Sequence, residues 1–291
     1  MTVEKRVINL PHGFLRIESH LDVLKPAERK VAEYILKNIS ETIQLSITKL
    51  SERVGVSEAT IVKFCQHIGY SGYQELKIML AKSSEEQQGE HIYGPIEAND
   101  SPEIILEKIF QIYDYSFKNT KKILQNSDLD ACISLTLHAN RIFFFGFGAS
   151  GIVALDAEQK FKRIDYTAEA ITDSHSQKTV AAILKDDDLI MAISDSGRTR
   201  ELIESLNVAK QTQAKIIGIT SNMGSPLTKL ADITLLTTSK ETPFRGSALA
   251  SRMAQLTVVD VLFLGVATAR FDHTISALNK TRTALSGNKI D

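Results

Sequence analysis

Residues 190–199 read IMAISDSGRT, and the change of chemistry at Ser194 decides how the chain is built. Ile190, Met191, Ala192 and Ile193 form an apolar run with no polar alternation. Such a run fits a strand buried on both faces, and strands of that kind belong to parallel sheets covered by helices. The run then breaks into Ser194, Ser196 and Thr199 set around Gly197, just before the helical stretch RTRELIESLNVAKQTQ. A helix N-terminus offers unpaired N–H groups and a partial positive charge, so hydroxyls gathered there suit an anion. Ser194, Ser196 and Thr199 add donors, and Gly197 lets the backbone approach closely. Phosphate, which takes many short donors from several directions, fits this set.

Upstream, RIFFFGFGASG at 141–151 repeats the arrangement, with Gly146, Gly148 and Gly151 around Ser150. Further strands are predicted at TAEAIT, AKIIGIT and ITLLTT, separated by helices near SQKTVAAIL and SPLTKLAD. Two helices at about 103–125 and 128–139 precede this alternation, and two more at about 247–269 and 272–285 follow it. The pattern predicts an α/β domain over residues 104–291, a parallel sheet flanked by helices. The glycine spacing at 146–151 also invites a dinucleotide reading. Against it, no acid ends the next strand; Glu169 sits inside TAEAIT.

Residues 1–82 read differently. Pro26 opens a helix in KPAERKVAEYILKN, and no credible strand occurs before residue 83. A short helix over 47–54, a turn at Gly55-Val56 and a second helix over 57–68 form a helix-turn-helix pattern. Ile61, Phe64, Cys65 and Ile68 share one apolar face of the second helix. In this motif the start of the second helix faces the major groove of DNA, which nominates Ser57, Glu58, Ala59, Thr60 and Lys63. Glu58 can accept from cytosine, Thr60 can touch a thymine methyl or phosphate, and Lys63 can reach guanine or phosphate. Ser71, Tyr73 and Lys77, at the start of the next helix, are candidate phosphate contacts. The same polar residues also suit the wet face of an ordinary helical bundle.

With 291 residues, two domains are expected. Residues 1–82 hold 12 Lys+Arg against 9 Asp+Glu, whereas residues 83–103 hold 6 acids and no Lys or Arg. That acidic stretch, SSEEQQGEHIYGPIEANDSPE, lacks periodicity and reads as a linker. The net charge of −1 gives no global field for nucleic acid, and a module this mildly basic needs two copies to grip DNA. A homodimer or homotetramer is therefore expected. The two cysteines, Cys65 and Cys132, fit a reducing compartment, with neither a disulfide nor a metal site implied. No cofactor is indicated. The N-terminus does not read as a signal peptide. The longest apolar run, 248–269, is interrupted by Arg252, Gln255 and Asp260, so it reads as a buried helix with no membrane partner. A cytoplasmic protein is expected.

The segments AERKVAEYILKN and SITKLSERVGVSEATIVKFCQHIGYSGYQELK resemble the N-terminal module of RpiR-type bacterial transcriptional regulators over nearly all of residues 20–82. Lys63 departs from the resemblance, because that family often has Arg there, and bidentate reading of guanine is then less assured. FGFGASG, ISDSGRT and GITSNMGSPLTKLAD, together with ASRMAQLTVVDVL, resemble the SIS (sugar isomerase) domain over about 128–270. The resemblance implies a regulator of carbohydrate metabolism that is not an enzyme, with double-stranded operator DNA and a phosphorylated sugar effector as partners. It implies Ser150, Ser194, Ser196, Gly197 and Thr199 as effector-binding residues, with Thr220 and Ser221 as weaker candidates. The segment DSHSQ at 173–177 adds His175 as a candidate sugar contact. The alternative is a phosphosugar isomerase or lyase with an accessory helical domain. Its base would come from Asp156, Glu158, Asp195, Glu201 or His175, none of which matches a catalytic motif.

Overall fold

A computed structural model of the chain describes residues 13–87, 96–238 and 248–285, which fall into two units, Met1–Gly94 and Pro95–Asp291. The first unit is helical: α1 (Gly13–His20), a 3₁₀ turn (Leu21–Val23), α2 (Pro26–Lys37), α3 (Ile39–Gln44), α4 (Ile47–Val54), α5 (Glu58–His67) and α6 (Tyr73–Gln87). Pro26 occupies the first turn of α2, where its missing N–H costs nothing. Ser46 caps α4 by accepting from the Lys49 N–H, and α4 closes on Gly55 in the left-handed conformation. Val31, Ile35, Leu50, Ile61, Phe64 and Cys65 are fully buried and form the core.

Two boundaries differ from the sequence expectation. The helix α6 continues through residues 83–87, because Ser, Glu and Gln offer no break before Gly89. At the other end of the expected linker, the Asp100 carboxylate takes the Lys108 ammonium at 2.7 Å, both side chains nearly buried, so this stretch belongs to the second unit. Residues 88–95 of that linker lie outside the described residues.

The second unit opens with α7 (Pro102–Ile123) and α8 (Asn126–His138). There follow β1 (Arg141–Gly146), α9 (Gly148–Arg163), β2 (Thr167–Ile171), α10 (Ser174–Ala181), β3 (Asp188–Ile193) and α11 (Arg200–Ala209). After these come β4 (Lys215–Thr220), α12 (Pro226–Leu230), β5 (Ile233–Leu236), α13 (Leu249–Ala269) and α14 (Phe271–Leu285). All five strands pair in parallel, in the order β2-β1-β3-β4-β5. Alternation along each strand sends Ile142 and Phe144 to one face and Phe143 and Phe145 to the other. The first face packs on α8, α9 and α13, the second on α10, α11 and α12. Arg141 and Asp188, paired across β1 and β3 at 2.5 Å, fix the start of the sheet.

The long apolar helix α13 lies against α7, α8 and α9, with Ala254, Val258, Val259, Leu262 and Val266 buried. It is a core helix of this unit. Both cysteines are free, and burial pushes their thiols up to about 12.

Candidate functional site

The strand order places β1 between β2 and β3, so the chain leaves β1 toward one side and β3 toward the other. The helices that follow, α9 and α11, therefore pack on opposite faces of the sheet. Where order reverses in this way, a crevice opens beyond the carboxyl ends of the two strands, the usual ligand position in such sheets. Register brings Gly146 of β1 opposite Ile193 of β3, which sets the Gly146–Ser150 turn beside the Ser194–Thr199 loop. Sequence reasoning singled out both loops, and the pairing brings them side by side.

Among the helices that directly follow β1 to β4, two have side-chain caps and two do not. Asp173 caps α10 by accepting from the Ser176 N–H, and Ser225 caps α12 by accepting from the Thr228 N–H. The N-cap residues of α9 and α11, Phe147 and Thr199, make no such side-chain bond. Their first N–H groups are left to a ligand or water. The two uncapped helices follow the two strands at the reversal.

Each predicted hydroxyl has a definite setting. Ser196 is exposed, its Oγ accepting from the Arg198 N–H at 3.2 Å. Thr199 is half-buried and shares a hydrogen bond of 3.2 Å with Ser194 Oγ. Ser194 itself is only 4% exposed and also accepts from the Gly197 N–H, so it braces the loop from inside. Gly197 has φ +61°, and a methyl group there would fall 2.2 Å from Ser225 Oγ. Glycine is thus required by conformation and by space. At Gly146 an added carbon would meet the Ser150 carbonyl oxygen at 2.6 Å, so its absence lets α9 begin this close to β1.

Thr220 and Ser221 depart from the expectation of ligand contact. Their hydroxyls donate to the Asp195 carbonyl at 2.8 and 2.9 Å, and the Ser221 N–H joins them. Their donors are spent holding the 194–199 loop to the end of β4. His175 is exposed in the first turn of α10, at the end of the edge strand β2. Among the acids weighed as bases, Asp156 pairs with Lys160 at 2.5 Å, Glu158 pairs with Lys162, and Glu201 is exposed on α11.

One residue of this site was missed. Ser150, half-buried in the first turn of α9, donates to Gln255 Oε1 on α13 at 3.2 Å. Gln255 is 1% exposed, and its Nε2 is buried without a hydrogen-bond partner among the described residues. The only signal in the sequence was an amide interrupting an apolar run, which by itself names no partner.

In the first unit, Ser57 caps α5 by accepting from the Thr60 N–H at 3.2 Å, and its Oγ lies 2.9 Å from Thr60 Oγ1. Ser57, Glu58, Ala59 and Lys63 are exposed and Thr60 half-exposed, opposite the buried Ile61, Phe64 and Cys65. This is the face a groove-binding helix requires. Tyr73 corrects the sequence expectation. It is 5% exposed, and its hydroxyl donates to the Thr42 and Leu45 carbonyls at 3.0 and 3.2 Å. The apolar ring carries it into the core, where the hydroxyl satisfies carbonyls at the C-terminal end of α3. Lys77 donates to the same Leu45 carbonyl at 2.9 Å while remaining half-exposed, with further N–H donors on its ammonium.

Comparison with known proteins places both units. Residues 12–87 match the model of the rpiR-family helix-turn-helix domain, and residues 136–265 match that of the SIS domain. The chain is 40% identical over 266 residues to an HTH-type transcriptional regulator of Caldanaerobacter subterraneus subsp. tengcongensis, covering 91% of this chain and 94% of that one. It is 39% identical over 255 residues to the HTH-type transcriptional regulator HexR of Pseudomonas aeruginosa, covering 88% and 89%. Among solved structures, Vibrio vulnificus NanR complexed with ManNAc-6P matches with a TM-score of 0.62 and 27% identity, covering 96% of this chain and all of that one. The sugar isomerase domain of an RpiR transcription factor from Sphaerobacter thermophilus shares the fold, at a TM-score of 0.56 and 17% identity over 62% of this chain and 98% of that one.

Proposed function

Because this chain belongs to the RpiR-type helix-turn-helix transcriptional regulators that carry a SIS domain, we propose that it binds operator DNA through α5 and senses a phosphorylated sugar between β1 and β3. The effector half rests on one observation: the two helices at the strand-order reversal lack side-chain caps, while α10 and α12 have them. Ser150, Ser196 and Thr199 supply hydroxyl donors beside those free N–H groups, and Ser194 and Gly197 shape the loop. His175, exposed in the first turn of α10, is read as a further sugar contact. The ManNAc-6P bound by NanR supports a phosphosugar as the ligand class.

For DNA, Ser57, Glu58, Ala59, Thr60 and Lys63 form the reading face, with Lys77 as a phosphate contact. Tyr73 is left out, because its hydroxyl is already used. Two modules must act together to grip a two-fold operator, so the working form is a homodimer or homotetramer in the cytoplasm. Ligand alters DNA affinity only through a different affinity for two arrangements of the protein. The domain is read as a sensor; of the acids weighed as bases, Asp156 and Glu158 are drawn into ion pairs with Lys160 and Lys162.

A thermal-shift panel tests this. N-acetylmannosamine 6-phosphate, glucose 6-phosphate and fructose 6-phosphate are each compared with the dephosphorylated sugar and with inorganic phosphate. At least one ester raises the melting temperature where its free sugar does not, and Ser196→Ala removes that rise. A flat panel overturns the effector reading, and sustained conversion of an ester, followed by NMR, overturns the sensor reading.

A further inference from the structure

The bond between Ser150 and Gln255 has a consequence for how an occupied site is registered. A serine hydroxyl carries one proton and two lone pairs. That proton points to Gln255 Oε1 at 3.2 Å. On the other arm of the same amide, Nε2 is sealed from solvent and has no acceptor among the described residues. An unpaired buried N–H is destabilising and uncommon in a native core.

Ser150 cannot give its one proton to Gln255 and to a phosphate oxygen together. When the proton turns to the ligand, Gln255 Oε1 loses its donor and Ser150 Oγ keeps a lone pair facing the amide. A half-turn of the amide about its last side-chain torsion answers both changes. It brings Nε2 to Ser150 Oγ as donor and moves Oε1 into the sealed position. An unpaired carbonyl oxygen is the better tolerated of the two orphans.

We propose that Gln255 is a positioning residue that holds the Ser150 hydroxyl in one of two states, its proton toward α13 or toward the phosphate. The amide of Gln255 thereby makes α13 the element that distinguishes an empty from an occupied site. This rests on the effector reading above, in which Ser150 donates to the ester. The packing gives the signal somewhere to go. The helix α13 lies against α9, which carries Ser150, and against α7, the first helix of the second unit. A ligand that forces the amide to turn interacts differently with two local arrangements, the condition for shifting an equilibrium.

The test uses the full chain, with N-acetylmannosamine 6-phosphate, glucose 6-phosphate and inorganic phosphate as probes. The Gln255 side-chain amide resonances are assigned by their loss in Gln255→Leu, then followed in the wild-type protein as each probe is added. Probes that raise the wild-type melting temperature shift those resonances. Gln255→Leu, close to glutamine in volume, removes the orphaned N–H; its ligand-free melting temperature equals or exceeds that of the wild type, while probe affinity falls about tenfold. Gln255→Glu, once ionised, can only accept from Ser150, so it holds the proton away from the ligand and adds a negative charge; affinity falls on the order of a hundredfold as pH rises through the titration of that buried carboxyl.

A purely structural role for Gln255 gives the opposite pattern: Gln255→Leu melts lower and binds the probe normally. That result overturns the proposal, as do amide resonances unmoved at saturation. A wild-type protein that no probe stabilises removes the effector reading, and this coupling with it. A stabilised wild type with unaffected Gln255 variants removes the coupling alone.

Discussion

Replacing Gly197 by alanine tests the loop geometry on which the effector site depends. Gly197 has φ +61°, and the added methyl would lie 2.2 Å from Ser225 Oγ, 2.6 Å from Ser225 Cβ and 2.9 Å from Thr220 Oγ1. Two costs add. Holding a residue with a side chain in the left-handed region costs about 1–2 kcal/mol. Forcing a methyl into occupied space costs about 1–3 kcal/mol more, and Ser225 cannot swing aside freely because it caps α12. A total of roughly 2–5 kcal/mol lowers the melting temperature of a unit this size by about 5–15 °C. Gly148→Ala is the control, since Gly148 has φ +54° with no atom within 4 Å of the added carbon. It carries only the conformational cost, a fall of about 2–6 °C. Calorimetry on the full chain, following the transition of the second unit, separates the two variants. If they melt within about 1 °C of each other, the packing of Gly197 against β4 and α12 is not what holds the loop.

Three other outcomes are expected. Tyr73→Phe removes one hydroxyl from two buried carbonyls and lowers the melting transition of the helical unit by roughly 4–8 °C, leaving the salt dependence of operator binding unchanged. A lower salt slope without loss of stability would restore Tyr73 as a phosphate contact. Lys63→Ala, on the exposed face of α5, weakens operator binding measured by fluorescence anisotropy and reduces the salt slope by about 1 if it meets a phosphate. The Asp188 carboxyl lies below its ordinary value of 3.8: burial opposes ionisation, but the Arg141 guanidinium and the Lys185 N–H outweigh it. A depressed carboxyl stabilises the fold fully above that ordinary value, and the contribution disappears as pH falls through the lower folded value. Asp188→Asn therefore costs roughly 1–3 kcal/mol at neutral pH, since the Arg141 it leaves behind is partly solvated, and progressively less in acid unfolding scans below about pH 4. A constant difference across that range would refute the assignment.

How far the sequence reaches is clear from particular residues. Apolar runs such as RIFFFG and DLIMAI became β1 and β3, and the helix-turn-helix fell where Gly55 and Ser57 punctuate the chain. Local chemistry suffices for these, because a strand buried on both faces, a left-handed glycine and a capping serine each act within a few residues. Both hydroxyl loops were visible for the same reason. Tyr73 was misread because a tyrosine beside a helix start has the same local pattern whether its ring enters the core or faces solvent. The three polar residues of the 248–269 run could not be told apart. Only the fold sends Asp260 to Lys160 and Gln255 to Ser150, across 100 and 105 residues. Sequence thus determined which segments are strands and helices and which donors stand at their ends. Strand order and packing decided which ends meet and which donors are already spent, because those depend on contacts between residues far apart along the chain.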